Sequence, residues 1–214
     1  MDLGPFGVWS GALRSGERSA VLAAAAELEE LGYGTIWFPA AQHEGLADHI
    51  SSILQHIRRI LAALGPRMLA LARDRSCGTH PYFVPPEHTR IARDTVGPNK
   101  VVAPEQMVVL EADPTRARAI ARPSIDRYLH APNYTNNLLR LGFTADDFAN
   151  GGSDRLVDAI VAWGTPEQII GRVKEHHAAG ADHVCIQVLT ETPQDLPTAM
   201  TGWRQLAAVF ASVR

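Results

Sequence analysis

The strongest constraint on the fold is a unit that the chain contains twice: a helix, a glycine and then an apolar strand. In the N-terminal copy, "ERSAVLAAAAELEELGYGTIWFP", the helix ends near Gly32 and the strand covers 35–39. In the C-terminal copy, "TPEQIIGRVKEHHAAGADHVCIQVL", Thr165 can cap the helix, Gly180 can end it, and the strand covers 183–189. Because these strands are apolar throughout, they are predicted to lie in a parallel sheet covered by helices.

Further apolar segments continue this alternation of strands and helices. Strands are predicted near residues 3–9, 35–39, 58–64, 79–84, 105–111 and 183–189. A helix is predicted near 86–95, and another over 113–129 that Pro123 should kink or split. The region 131–164 is predicted to hold short helices and loops, with Ser153 or Asp154 as a helix cap.

Length and composition favour a single domain without a nucleic-acid or membrane partner. The chain has 214 residues, of which 46% are hydrophobic, so residues 1–214 can form a single domain with a substantial core. The net charge is −3 with both signs interspersed, and therefore gives no indication of a nucleic-acid or anionic-membrane partner. Two cysteines without a CxxC motif, no signal-peptide pattern and no apolar run of about 20 residues favour a cytoplasmic location.

Eight segments appear in a characteristic order: "GVW", "LEELGYGTIWFP", "LAALGPRML", "GTHPYFVPPEHT", "APEQMVVLEADPTRAR", "YLHAPNYTNNLLRLGF", "GGSDRLVDAIVAWGTPEQI" and "AGADHVCIQVL". In these segments, which cover most of 3–39 and nearly all of 58–213, the chain resembles the luciferase-like monooxygenase family. The similarity is to its actinobacterial branch of coenzyme F420-dependent oxidoreductases. The resemblance implies a TIM-type (β/α) barrel and hydride transfer between a small-molecule substrate and the ring carbon of a deazaflavin.

The chain departs from the family pattern after Pro39. There the family continues through two further β/α units, whereas this chain has only "AAQHEGLADHISSILQHIRRI". The resemblance therefore implies an incomplete α/β barrel with about six of the eight strands. A substitute helix is predicted over 43–57, with one apolar side formed by Leu46, Ile50, Ile53, Leu54 and Ile57.

The shortening also affects the expected assembly. In the family, the helices after the second and third strands commonly form the dimer interface, and those helices fall in the missing stretch. The resemblance then leaves two states open. One is a monomer prone to aggregation, and the other is a homodimer through a non-standard surface, either the apolar side of 43–57 or the open sheet edge.

A Gly-Pro pair at the end of a predicted strand is the leading candidate for a cofactor site. Gly65 allows close backbone approach, and Pro66 suits the first turn of a helix, whose N–H groups favour a phosphate. The resemblance implies that Ala63, Leu64, Gly65 and Pro66 line the deazaflavin and its phosphate-bearing tail. FMN is the alternative cofactor, because both occur among relatives. A plain tight turn is the alternative without a ligand.

The "PPEHT" segment follows the next strand and supplies the candidate catalytic residues. Glu87 and His88 could act as acid and base, and Thr89 could donate to a phosphate of the cofactor. The alternative is an ordinary helix start with no role in chemistry.

Other residues near strand ends are weaker candidates. Trp9 could flank the ring of the cofactor, although core packing is the commoner role of tryptophan, and this holds more strongly for Trp37. The resemblance implies that Asn133 and Tyr134, in the insertion that covers the pocket, contact the substrate; loop capping is the alternative. Gln187 could face the pocket or be a core amide. In several relatives an Asp-His pair contacts the deazaflavin, and here its places hold Pro39 and Ala40.

No metal site is predicted. His43, Asp48, His49 and His56 lack an HExxH spacing and fit a solvated helix face. Two functions therefore stand beside F420-dependent oxidoreduction: an FMN-dependent monooxygenase, and a degenerate, non-catalytic barrel kept as a binding or interaction protein or as a gene remnant.

Overall fold

The computed structural model describes residues 3–15, 18–37, 60–192 and 195–210. Its strands are β1 (Phe6–Trp9), β2 (Ile36–Trp37), β3 (Ile60–Leu61), β4 (Gly78–Thr79), β5 (Val101–Val102), β6 (Glu105–Val109), β7 (Val161–Trp163) and β8 (Val184–Val188). Helices cover Ala12–Ser15, Arg18–Glu30, Pro66–Arg75, Pro86–Val96, Pro114–Leu129, Pro132–Arg140, Asp154–Ile160, Pro166–Ala178 and Leu196–Phe210, and a 3₁₀ helix covers Ala145–Gly151. Each of the six predicted strands has a counterpart among these strands.

The strands pair in parallel in two sheets, in the orders β2-β1-β8-β6-β7 and β3-β4-β5. One extended stretch, Val101–Val109, contains both β5 and β6 and joins the two sheets. On one side the amide of Glu105 donates to the Pro81 carbonyl, and on the other the amide of Cys185 donates to the Pro104 carbonyl, both at 2.9 Å. The two sheets therefore form one curved wall that runs from β2 to β3.

Over the part of the chain that the structure describes, this wall does not close into a barrel. Within the described residues, β2 pairs only with β1, β3 pairs only with β4, and no ladder joins β2 to β3. The prediction of an incomplete α/β barrel is therefore confirmed. The predicted helix over 43–57, the positions Pro39 and Ala40, and the histidines of 43–56 lie outside the described residues.

Two short strands were not predicted. The prediction of helices and loops for 131–164 was wrong at Val161–Trp163, which pairs with Met107–Val109. This strand begins directly after the helix Asp154–Ile160, with no glycine or proline between them, and it is shorter than the four residues that a strand pattern needs. The second, Val101–Val102, is shorter still.

Pro123 was predicted to kink or split the helix Pro114–Leu129, and the helix is not split, because it continues through Pro123. Ala117, Ala121, Ile125 and Leu129 recur every four residues and are all buried, whereas Pro123 lies on the exposed side. Burial of that stripe outweighs the hydrogen bond that the proline cannot donate.

The predicted helix caps are confirmed. Ser153 accepts a hydrogen bond from the amide of Leu156 at 3.2 Å. Thr165 and Gln168 form a reciprocal capping box at the start of Pro166–Ala178. Both caps fix where the chain enters a helix that packs on the sheet.

Three apolar clusters hold the helices on the wall. The largest packs β1 and β8 against Arg18–Glu30, Pro166–Ala178 and Leu196–Phe210, with Val8, Leu28, Ile186 and Trp203 among its members. A second packs β6 and β7 against the helices of 114–160, and a third packs Pro66–Arg75 and Pro86–Val96 against β3 and β5. No helix among the described residues is long and apolar enough to cross a membrane.

We expect Ile186→Ala to lower the free energy of unfolding by about 2–4 kcal/mol, because Ile186 is fully buried at the centre of β8 and the substitution leaves a cavity. Urea denaturation followed by circular dichroism measures this difference. Leu22→Ala is the matched control, because Leu22 is 60% exposed and its truncation should change stability by less than about 0.5 kcal/mol. Equal effects of the two substitutions would contradict the central position of β8.

Candidate functional site

A cleft of about 340 Å³ lies where β3 and β4 end. Chemistry in parallel α/β folds sits at the carboxyl ends of the strands, and this volume falls in the range of small-molecule sites. The cleft is lined by Ala62, Ala63, Leu64, Gly65, Met68, His80, Tyr82, Asn133, Tyr134, Asn136 and Arg140.

Half of the predicted site residues line this cleft. They are Ala63, Leu64, Gly65, Asn133 and Tyr134. Pro66 follows as the first residue of the helix Pro66–Arg75. The predicted residues that the structure does not bring into the cleft are Trp9, Glu87, His88 and Thr89.

The Gly65-Pro66 turn lies directly against an arginine that the sequence analysis missed. Gly65 is the N-cap of its helix in an extended conformation, and no side chain caps the helix. A Cβ atom added at Gly65 would lie 3.3 Å from a terminal guanidinium nitrogen of Arg140. The turn therefore combines helix N–H groups with a guanidinium, which is the chemistry that binds phosphates and carboxylates.

The position of Arg140 in the cleft could have been predicted from a pattern in the sequence. Asn133, Asn136 and Arg140 are spaced by three and four residues, which places them on one face of the helix Pro132–Arg140. All three line the cleft. The amides and the guanidinium therefore come from one helix that lies over the strand ends.

His88 lies behind the turn instead of facing the cleft. It is 1% exposed, and its Nε2 lies 2.8 Å from the carbonyl oxygen of Leu64. Because a carbonyl only accepts, Nε2 carries the hydrogen, and burial lowers the pKa of His88 so that the ring stays neutral. Glu87 is exposed in the first turn of the helix Pro86–Val96. In this structure His88 supports the backbone of the Gly65-Pro66 turn.

Thr89 also faces inwards, into a buried polar chain. Its hydroxyl lies 2.8 Å from Nδ1 of His176, whose Nε2 lies 2.9 Å from Oε1 of Gln106. The Gln106 amide donates to the carbonyls of Met107 and Ile160. Burial lowers the pKa of His176 to about 3, so this chain stays uncharged. This chain ties two helices to β6, and in this structure the Thr89 hydroxyl takes part in it.

For Trp9, Trp37 and Gln187 the sequence allowed either a core or a pocket position. In the structure all three support the cleft from behind. The ring of Trp9 packs on Tyr82 with centroids 5.4 Å apart, and Trp37 stacks on His80 at 4.7 Å and 11°. Gln187 accepts a hydrogen bond from the Tyr82 hydroxyl at 2.9 Å. These contacts fix the orientation of His80 and Tyr82, which line the cleft and which the sequence analysis also missed.

Tyr82 belongs to a hydrogen-bond chain with a fixed direction. Its hydroxyl hydrogen goes to Gln187, so its oxygen accepts from the Tyr128 hydroxyl at 2.8 Å. The Tyr128 oxygen in turn accepts from the guanidinium of Arg127. His80 and Tyr82 could have been suggested by position, because they alternate just after β4 and therefore lie on the same side of the chain.

A buried carboxyl lies in the wall beneath these residues. Glu105 is 1% exposed and lies opposite Cys185 in the pairing of β6 with β8. Its Oε2 accepts from the amide of Phe83 at 3.3 Å, where Phe83 has a left-handed φ of 62°. Its Oε1 has no partner among the described residues. Burial raises the pKa of Glu105 to about 8, so the carboxyl is protonated at neutral pH.

The described residues contain no group of three or more His, Cys, Asp or Glu side chains that could hold a metal ion.

The sequence matches no protein-family model and no curated protein sequence. Among the solved structures that share the fold are three enzymes. One, an "F420-dependent secondary alcohol dehydrogenase in complex with an F420-acetone adduct", has a TM-score of 0.54 and 13% identity over 74% of this chain and 49% of its own. The coenzyme F420-dependent tetrahydromethanopterin reductase from Methanopyrus kandleri has a TM-score of 0.55 and 15% identity over 72% of this chain and 50% of its own.

The third is the EDTA monooxygenase from Chelativorans sp. BNC1, with a TM-score of 0.54 and 15% identity over 72% of this chain and 44% of its own. At these identities the likeness shows the fold alone, and it agrees with the predicted class, an incomplete α/β barrel. The chain spans about half the length of the structures that it matches.

We expect the free energy of unfolding of Glu105→Gln to increase relative to that of wild type as pH rises. Between pH 4.5 and about 8 the folded chain keeps Glu105 protonated whereas the unfolded chain ionises it. The wild-type free energy of unfolding therefore falls through that window by up to about 1.4 kcal/mol per pH unit, and glutamine has no such term. Urea denaturation at pH 5, 6, 7 and 8 measures the difference. A difference that stays constant over this range would contradict the raised pKa.

Proposed function

We propose that this protein is an oxidoreductase that binds the deazaflavin coenzyme F420 in the cleft and passes hydride between it and a small-molecule substrate. The observation that carries this is the guanidinium of Arg140 against the uncapped Gly65-Pro66 helix start, at the carboxyl end of a strand. Two of the structures that share the fold are described as F420-dependent enzymes, which supports the choice of coenzyme.

The residues of the cleft fit such a coenzyme in two ways. Its phosphate-bearing tail meets the helix N–H groups and Arg140, which supply hydrogen-bond donors and positive charge. Its flat ring meets Tyr82, Tyr134 and the apolar side chains of Leu64 and Met68. When bound, the coenzyme supplies a ring carbon that accepts or donates hydride, while the protein supplies orientation and electrostatics.

The candidate residues take the following roles in this proposal. Ala63, Leu64, Gly65 and Pro66 hold the coenzyme, and Asn133 and Tyr134 contact the substrate. His88 holds the carbonyl of Leu64, and Trp9 holds the ring of Tyr82. Proton transfer by Glu87 or His88, a phosphate contact from Thr89, the cytoplasmic location, the single domain over 1–214 and a homodimer through a non-standard surface stay predictions.

A second candidate is a binding protein without catalysis. It is favoured by the lack of a ladder between the described strands β2 and β3, and by a match that covers only about half of each structure with the same fold. FMN also combines a flat ring with a phosphate, so it is tested beside F420.

We expect oxidised F420 to bind wild type, and Gly65→Val and Arg140→Gln each to weaken binding by about tenfold or more, because each removes a close or charge-assisted contact with the anionic tail. Fluorescence of the coenzyme measures the dissociation constants, with FMN titrated in parallel. Lys174→Gln is the control, because it removes the same charge at an exposed position away from the cleft.

Three outcomes separate the alternatives. Equal binding by all variants would place the coenzyme away from the Gly-Pro turn. Tighter binding of FMN than of F420 would favour the flavin. No binding of either at millimolar concentration would favour the protein without catalysis.

A further inference from the structure

His80 is a cleft residue with one ring nitrogen bound to the protein and the other available to a ligand. Its Nδ1 lies 2.6 Å from the carbonyl oxygen of Ala103. A carbonyl only accepts, so Nδ1 carries the hydrogen and Nε2 carries the lone pair. Among the described residues, Nε2 has no hydrogen-bond partner. The cleft therefore contains a hydrogen-bond acceptor whose chemistry is set by the backbone.

The surroundings of His80 keep its ring neutral and fixed. Burial lowers the pKa of His80, so the ring does not take up a second hydrogen at neutral pH. The Cys185 thiol lies 3.9 Å from the same Ala103 carbonyl and leaves Nε2 untouched. Trp37 stacks on the ring, and its Nε1 lies 3.1 Å from both Thr35 Oγ1 and His183 Nε2. An acceptor held in this way loses little rotational freedom on binding.

The other polar side chains of the cleft do not offer an acceptor fixed in this way. Arg140 only donates, and the Tyr82 oxygen, whose hydrogen goes to Gln187, already accepts from the Tyr128 hydroxyl. The Tyr134 hydroxyl and the exposed amides of Asn133 and Asn136 present both donors and acceptors. A ligand group that reaches His80 must therefore bring a donor, and a carbonyl oxygen at the same place would face a lone pair.

We propose that His80 selects the substrate: its Nε2 accepts a hydrogen bond from the hydroxyl group of an alcohol, and so distinguishes an alcohol from a ketone or ether of the same shape. This substrate class rests on the proposed function, since the alcohol would be the hydride donor to the coenzyme. His80 is the residue that recognises the hydroxyl, and Arg140 with the Gly65 turn remains the place of the anionic tail.

The first test uses wild-type protein labelled with ¹⁵N-histidine at pH 7.5, with and without F420. The ligands are cyclohexanol and two partners that lack a donor, cyclohexanone and methoxycyclohexane. We expect His80 to show the Nδ1–H form and its Nε2 resonance to move on addition of cyclohexanol alone. His130, exposed at the end of the helix Pro114–Leu129, is the internal control and should not respond.

The second test compares variants by the ratio of cyclohexanol affinity to methoxycyclohexane affinity. His80→Phe keeps a ring against Trp37 but has no acceptor, and we expect the ratio to fall about fivefold to tenfold. His80→Gln carries a carbonyl acceptor and should restore part of the ratio, and His130→Gln should leave it unchanged. Circular dichroism melting identifies a variant that fails to fold. In that case the Nε2 resonance of wild-type His80 in the first test decides whether His80 accepts from the alcohol.

The outcomes separate this inference from the proposed function. If Nε2 responds to cyclohexanol but F420 does not bind, the role of His80 is supported and the assignment of F420 as coenzyme is overturned. F420 binding with no alcohol response, or with a response of Nε2 to F420 itself, would overturn the role of His80 alone. An unchanged affinity ratio in folded His80→Phe would overturn it as well.

Discussion

The position of β8 between β1 and β6 is the pairing on which the rest of the structure depends. Phe6–Val8 pairs with β8 on one side and Glu105–Val108 pairs with it on the other, so the first and last strands of the chain meet in the wall. This pairing buries Val8 and Ile186 beneath the helices. It also carries Gln187 to the hydroxyl of Tyr82. The walls of the cleft come from distant parts of the sequence. The cleft exists because β8 holds these parts in register.

The inner side of the wall is unusually polar for a barrel, whose interior is commonly filled with branched apolar side chains. Glu105, Cys185 and Gln187 share one face of the paired strands, and His80 and Tyr82 lie against them. Ionising the buried Glu105 carboxyl is unfavourable, and this cost raises its pKa. A carboxyl with a raised pKa in a polar wall makes this side of the sheet a candidate ligand site.

The sequence could predict the fold far better than the site, for physical reasons. Long apolar strands and capped helices are local patterns. From them the helix after Thr165 and the strand after Gly180 could be predicted. The short strand Val161–Trp163 exists through its pairing with β6, which no local pattern encodes. His88 and Thr89 were expected at the mouth, yet they face inwards with Ala92 and Val96 on the buried side of their helix. Arg140 reaches Gly65 from a part of the chain 75 residues away.

The protonation states around the cleft determine what it can attract. Burial lowers the pKa of His80 and of His88 and raises the pKa of Glu105, so all three are neutral near pH 7. Of the described residues that line the cleft, Arg140 then carries the formal charge. The positive guanidinium lies beside the positive end of the helix dipole at the uncapped helix start, and both favour an anion. The same burial that neutralises the inner groups leaves His80 as a hydrogen-bond acceptor. The cleft therefore offers positive charge at the turn and an uncharged acceptor at the strand end, because burial, and not charge pairing, sets the protonation of its inner wall.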